Sequence, residues 1–102
     1  MATYVSVAQV ELRMPWVRSL MEKRALVVPI VEGLKRRYPV SVARVDGHDE
    51  HGRERLALVC VGTDPDALRG TMAAAERMMA AGGVEIAWSR VDVERWDDAD
   101  DA

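Results

Sequence analysis

Two stretches of helical periodicity set among four strand-like ones, in the order strand, helix, strand, strand, helix, strand, predict an α+β fold of the ferredoxin-like, split βαβ type. Right-handed crossovers put strands one and three at the centre of a four-stranded antiparallel sheet, and these are the two most apolar strands. A length of 102 residues holds one hydrophobic core, so the prediction is a single domain over residues 1–95 with both helices on one face of the sheet. Residues 96–102, WDDADDA, read as an acidic, disordered tail.

Residues 3–13 alternate, with Tyr4, Ser6, Ala8, Val10 and Leu12 on one face and Val5, Val7, Gln9, Glu11 and Arg13 on the other. Ser19 and Glu22 have the capping-box spacing, in which the serine oxygen accepts from the amide three residues on and the carboxylate returns to the serine amide. A helix therefore starts at Ser19. It bears the stripe Leu20, Val27, Val31, Leu34 and Tyr38, with Lys23, Arg24, Lys35 and Arg36 lying largely off it. Pro29 removes one hydrogen bond and clashes with the Ala25 carbonyl, which predicts a kink or a break. Pro39 ends the helix, because a residue before proline is driven to extended conformations.

Residues 40–46, VSVARVD, alternate as a half-buried strand, and GHDEHGR over 47–53 forms the hairpin connection. LALVCV over 56–61 is a nearly continuous apolar strand, with Leu56, Leu58 and Cys60 on one face and Ala57, Val59 and Val61 on the other. Asp64 is the N-cap of a second helix with Pro65 in its first turn, the stripe Leu68, Met72, Ala75, Met79, and Gly82 and Gly83 at its end. In the last strand, over 84–93, Ile86 and Trp88 fall on one phase and Val91 and Val93 on the other, which predicts a bulge or an edge.

No apolar run approaches the roughly 18 residues of a membrane span, and the start MATYVSVAQV has no basic segment followed by an apolar one, so neither membrane nor signal peptide is expected. With Cys60 as its only cysteine the chain forms no internal disulfide, and a cytoplasmic location follows. Cys60 itself reads as a core residue, since thiolate chemistry needs exposure and a nearby cation. The net charge of −3 hides an asymmetry: within residues 1–37 seven bases face three acids, for a local +4, while four aspartates crowd the tail.

The runs LRMP, RSLMEKR, PVSVARVDGHD and LALVCVG, in that order and spacing, resemble the small bacterial YlxP-like proteins of unknown function. The resemblance covers most of residues 4–93 and rests on Pro15, Ser19, Leu20, Lys23, Arg24, Val40, Ser41, Val42, Asp46 and Asp49. Met21, Arg44 and His48 depart from the pattern, in which lysine, glutamate and glutamine are usual at those places. The resemblance implies the same ferredoxin-like fold and, from the gene neighbourhoods of its members, a link to ribosomes or RNA.

Two constellations carry candidate chemistry. Arg13, Arg18, Lys23 and Arg24 gather where strand one hands over to helix one, and with the amides of the helix start they suit phosphate oxygens. The favoured function is thus a small non-enzymatic binding protein for RNA, a ribosomal component or DNA, dimeric through the apolar open face of the sheet. Paired exposed aromatics on the strands are not expected, so base stacking is not. The alternative is a metal-dependent nuclease or phosphodiesterase working from the hairpin, with Asp46, His48, Asp49 and His51 as catalytic groups. Asp46, Asp49 and Glu50 would then hold Mn²⁺ or Mg²⁺, with Zn²⁺ and a site at Glu11 as weaker variants. In the favoured reading no cofactor is needed. A pure protein-binding module using the open sheet face is the third possibility.

Overall fold

A computed structural model describes residues 2–96. Its elements run β1 (Thr3–Arg13), α1 (Leu20–Arg37), β2 (Ser41–Asp46), β3 (Arg53–Gly62), α2 (Pro65–Ala80) and β4 (Glu85–Trp96). The four strands form one antiparallel sheet in the order β2-β3-β1-β4, which is the predicted ferredoxin-like arrangement. Pairing of Ser6 with Cys60, Ala8 with Leu58 and Val10 with Leu56 puts the buried side chains of the two central strands on one face. Against that face pack Val27, Ile30, Val31 and Leu34 of α1 and Leu68, Met72, Ala75 and Met79 of α2. The α2 stripe is the predicted one at every position, and Cys60 lies in the core at 4% exposure.

The start of α1 is capped by Ser19, whose Oγ accepts from the Glu22 amide at 3.1 Å. The Glu22 carboxylate returns not to the Ser19 amide but to that of Arg18, at 3.0 Å. Two expectations for this helix are corrected. It runs unbroken through Pro29, which sits with Ala25 on the exposed side, where a carbonyl without an N–H partner is cheapest. Leu20 is 44% exposed, and its expected place on the buried stripe is taken by Lys23, one turn before Val27. Gly33 allows α1 to approach α2, because a Cβ there would meet the Met78 methyl at 2.2 Å.

The phase slip in β4 is a bulge: Glu11 opposes Trp88 and Leu12 opposes Ile86, so Ala87 is the extra residue. β3 begins three residues earlier than expected, at Arg53, and β4 continues to Trp96, opposite Thr3. Trp96 therefore belongs to the sheet rather than to the tail, whose remaining residues, 97–102, lie outside the described ones. Among the described residues no helix is long and apolar enough to cross a membrane.

Candidate nucleic-acid interface

Strand alternation sends Arg53 and Arg55 to the open face of the sheet and Glu54, between them, to the helix face. Glu54 is fully buried there and meets Lys23 from α1, itself fully buried, at 3.0 Å. The Lys23 Nζ also faces the carbonyls of Glu50 at 2.5 Å, Gly47 at 2.8 Å, and His48 and Arg53 at 3.3 Å. Five oxygens thus surround an ammonium with three N–H bonds, so the β2–β3 turn wraps its own backbone around a lysine from the helix. Gly47 makes that turn at φ +79°, the left-handed region glycine tolerates. Arg44 shares the same Glu54 Oε1 at 2.8 Å. Burial alone would raise the Glu54 pKa, but the bonds from Arg44 and Lys23 outweigh it and hold the carboxyl below its ordinary 4.5.

On the open face a second network forms. Arg53 donates to Glu11 at 2.7 Å, to Asp46 at 2.8 Å and to Glu50, while Arg55 donates to Glu11 at 3.1 Å. The Arg53 hydrogen bond chiefly depresses both Glu11 and Asp46, and the three carboxylates together raise Arg53. Arg55 lies over the ring of Trp88, 5.0 Å from its centroid.

These contacts revise the sequence-based site. Lys23 is not a surface cation: its charge is spent on Glu54 and the hairpin carbonyls, so its expected part in phosphate binding is withdrawn. The amides of Arg18 and Glu22 are occupied by Glu22 and Ser19 themselves, which removes them as anion donors. Arg13, Arg18 and Arg24 remain exposed, and their side chains make no ion pair among the described residues. They lie at one end of the molecule, because the Met14 amide just past β1 donates to Gly52 at 2.9 Å and Lys23 ties α1 to the same turn.

The hairpin reading fares differently. Asp46 and Glu50 are committed to Arg53, Glu11 is held by two arginines, and His48, Asp49 and His51 are exposed on the turn. Among the described residues no three His, Cys, Asp or Glu side chains are gathered as a metal would need. Of the composition that suggested a metal, Asp46, Glu50 and Glu11 neutralise arginines, while the Lys23 ammonium is held by turn carbonyls and by Glu54.

The open face does carry exposed aromatics, though not as a pair. Trp88 is 41% and Trp96 is 61% exposed, on the same phase of β4. Eight residues at about 3.4 Å each put them about 27 Å apart, too far to act as a stacking pair. Between them the face is divided. Val7, Val59 and Val61 form an exposed apolar patch near one end, and the arginine network fills the other.

A sequence profile of the family described as "Protein of unknown function (DUF503)" matches residues 5–93. No curated protein matches the chain. Among solved structures, a de novo designed protein, Foldit4, is 18% identical at a TM-score of 0.48, covering 92% of this chain and 98% of that one. A candidate chlorite dismutase is 14% identical at a TM-score of 0.50, over 91% of this chain and 44% of its own. A C-terminal segment of the alpha subunit of aIF2 from Pyrococcus abyssi is 12% identical at 0.48, over 93% and 51%. This chain thus spans about half the length of the last two, and at these identities the likeness is one of fold alone.

Proposed function

The chain belongs to the DUF503 family of proteins of unknown function, and we propose that it is a small non-enzymatic module that binds a nucleic-acid backbone, RNA or a ribosomal component before DNA. The observation that carries this is the uncommitted state of Arg13, Arg18 and Arg24, exposed at one end, beside a hairpin whose acids Asp46 and Glu50 are neutralised internally. Arg53, Arg55, Arg69 and Arg90 have carboxylate partners. Lys35, Arg36, Arg37 and Arg77 are also exposed without ion pairs among the described residues, but only the Arg13 end sets its free arginines beside the turn. The resemblance to YlxP-like proteins points the same way, and a lone buried Cys60 suits the cytoplasm.

Retention of labelled single- and double-stranded RNA and DNA, measured across salt and with Mn²⁺ or chelator, tests the reading. Binding without cleavage, fading as salt rises, is the expected result. Replacing Arg13, Arg18 and Arg24 together by Ala flattens the logarithmic salt slope by about 0.7–0.9 for each phosphate that these arginines neutralise. Metal-dependent cleavage, or affinity unchanged in the triple variant, would sink it.

The apolar patch of Val7, Val59 and Val61 supports dimerisation through the open face, leaving the arginine end free in both copies. Sedimentation over a concentration series should show a dimer that Val61→Glu converts to a monomer with unchanged circular dichroism. A wild-type monomer at high concentration removes the dimer from the proposal.

A further inference from the structure

We propose that the cleft between the start of α1 and the β2–β3 turn holds one phosphodiester group of a single strand, together with its sugar. This rests on the nucleic-acid reading above and names the contact within it. The cleft measures about 240 Å³ and is lined by Leu20, Lys23, Arg24, Arg44, His48 and Asp49. It is smaller than the roughly 300–1,000 Å³ of drug-sized sites, which suits a phosphate and a sugar rather than a base pair.

Charge sets the class of ligand. Lys23 and Arg44 lean on one oxygen of Glu54, so two cations share a single carboxylate. Arg24 adds one positive charge and Asp49 one negative, which leaves the lining and its Glu54 floor with one net positive charge when His48 is neutral. A phosphodiester carries one negative charge and balances it. Lys23 is saturated by the turn carbonyls and acts only as the floor, so the contacts fall to the guanidiniums. Among the described residues Arg24 has its whole fork free, while Arg44, its Nε buried and one terminal nitrogen on Glu54, is 22% exposed through the rest of its guanidinium. Leu20, 44% exposed, offers an apolar wall to the sugar, and this accounts for a leucine left outside the core. His48 can donate to a sugar hydroxyl.

A labelled single-stranded uridine hexamer is titrated into the full chain, with NMR shifts followed on the ¹⁵N-labelled protein and inorganic phosphate as competitor. Shifts are expected at Arg24, Arg44 and His48. Arg24→Ala should weaken the hexamer about tenfold. Asp49→Asn, which removes the opposing charge, should tighten it, a gain that damage to the fold does not produce. Both positions are exposed, so circular dichroism should show both variants folded.

If the hexamer binds while its shifts lie along Arg55 and Trp88, or while both variants keep wild-type affinity, the cleft is the wrong site and the nucleic-acid reading stands. Phosphate that shifts the cleft in a chain that ignores the hexamer identifies a free-phosphate site and overturns the strand proposal. Failure to bind the hexamer or any RNA or DNA in the retention assay fails the broader reading as well.

Discussion

Arg53, Glu54 and Arg55 are consecutive residues on one strand, yet they belong to two networks on opposite faces that differ in depth. Glu54 is fully buried with Lys23, at a point where the helix, the sheet and the turn all meet. Arg53 and Arg55, a quarter exposed, hold Glu11 and Asp46 at the edge of solvent. Charge type is the same in both places, so depth decides what a charge does. Buried, it ties elements together. At the surface it mainly sets the local potential, and only where it has no partner among the described residues, as at Arg13, Arg18 and Arg24, is it free for a ligand.

The largest test of this contrast is Lys23→Met. It leaves Glu54 with Arg44 alone, takes the Lys23 donor from the Glu50 carbonyl and leaves that of Gly47 only the Glu50 amide, so urea unfolding should show a loss of about 3–5 kcal/mol. Adding Glu54→Leu should recover the part due to the stranded carboxylate but not the part due to the turn carbonyls. A single-variant loss below about 1 kcal/mol would mean that the turn is anchored by something else.

Acid gives the next effect. Glu54, Glu11 and Asp46 all have folded pKa values held below their ordinary 4.5, 4.5 and 3.8. A depressed carboxyl contributes stability that is complete above its unfolded pKa and disappears as pH falls through the folded one. Unfolding free energy should therefore be level near neutrality and decline below about pH 4.5. Glu54→Gln should start lower at pH 7 and decline less steeply. An equally steep decline in that variant would shift the acid sensitivity to the open face.

Much of the buried network was legible. Lys23 lies four residues before Val27 and seven before Ile30, and Glu54 lies two before Leu56, so helical and strand periods place each on the core side. Reading charge as a mark of surface hid the pair, since an unpartnered charge in a core is so costly that neither residue alone is credible there. The partner is what makes each credible, and a pairing so distant in sequence depends on the fold. The same limit applied to the hairpin, where composition suggested a metal and only tertiary contact shows Asp46 and Glu50 turned to Arg53. The α2 stripe, its Asp64 cap and the β4 bulge needed no such knowledge, because sequence-local geometry sets them.

The smallest effect sharpens the comparison most. Arg53→Ala removes the centre of the open-face network, but Asp46 and Glu50 face water and the buried Glu11 keeps Arg55. Its urea midpoint should move several-fold less than that of Lys23→Met. Ions screen exposed pairs over about 10 Å at 0.1 M salt and about 3 Å at 1 M, so the Arg53 difference should shrink between these conditions. The Lys23 difference, sealed beneath the turn, should persist. If both differences fell alike with salt, the two networks would be equally open to solvent, and depth could no longer be what separates a charge that builds the fold from one available to a ligand.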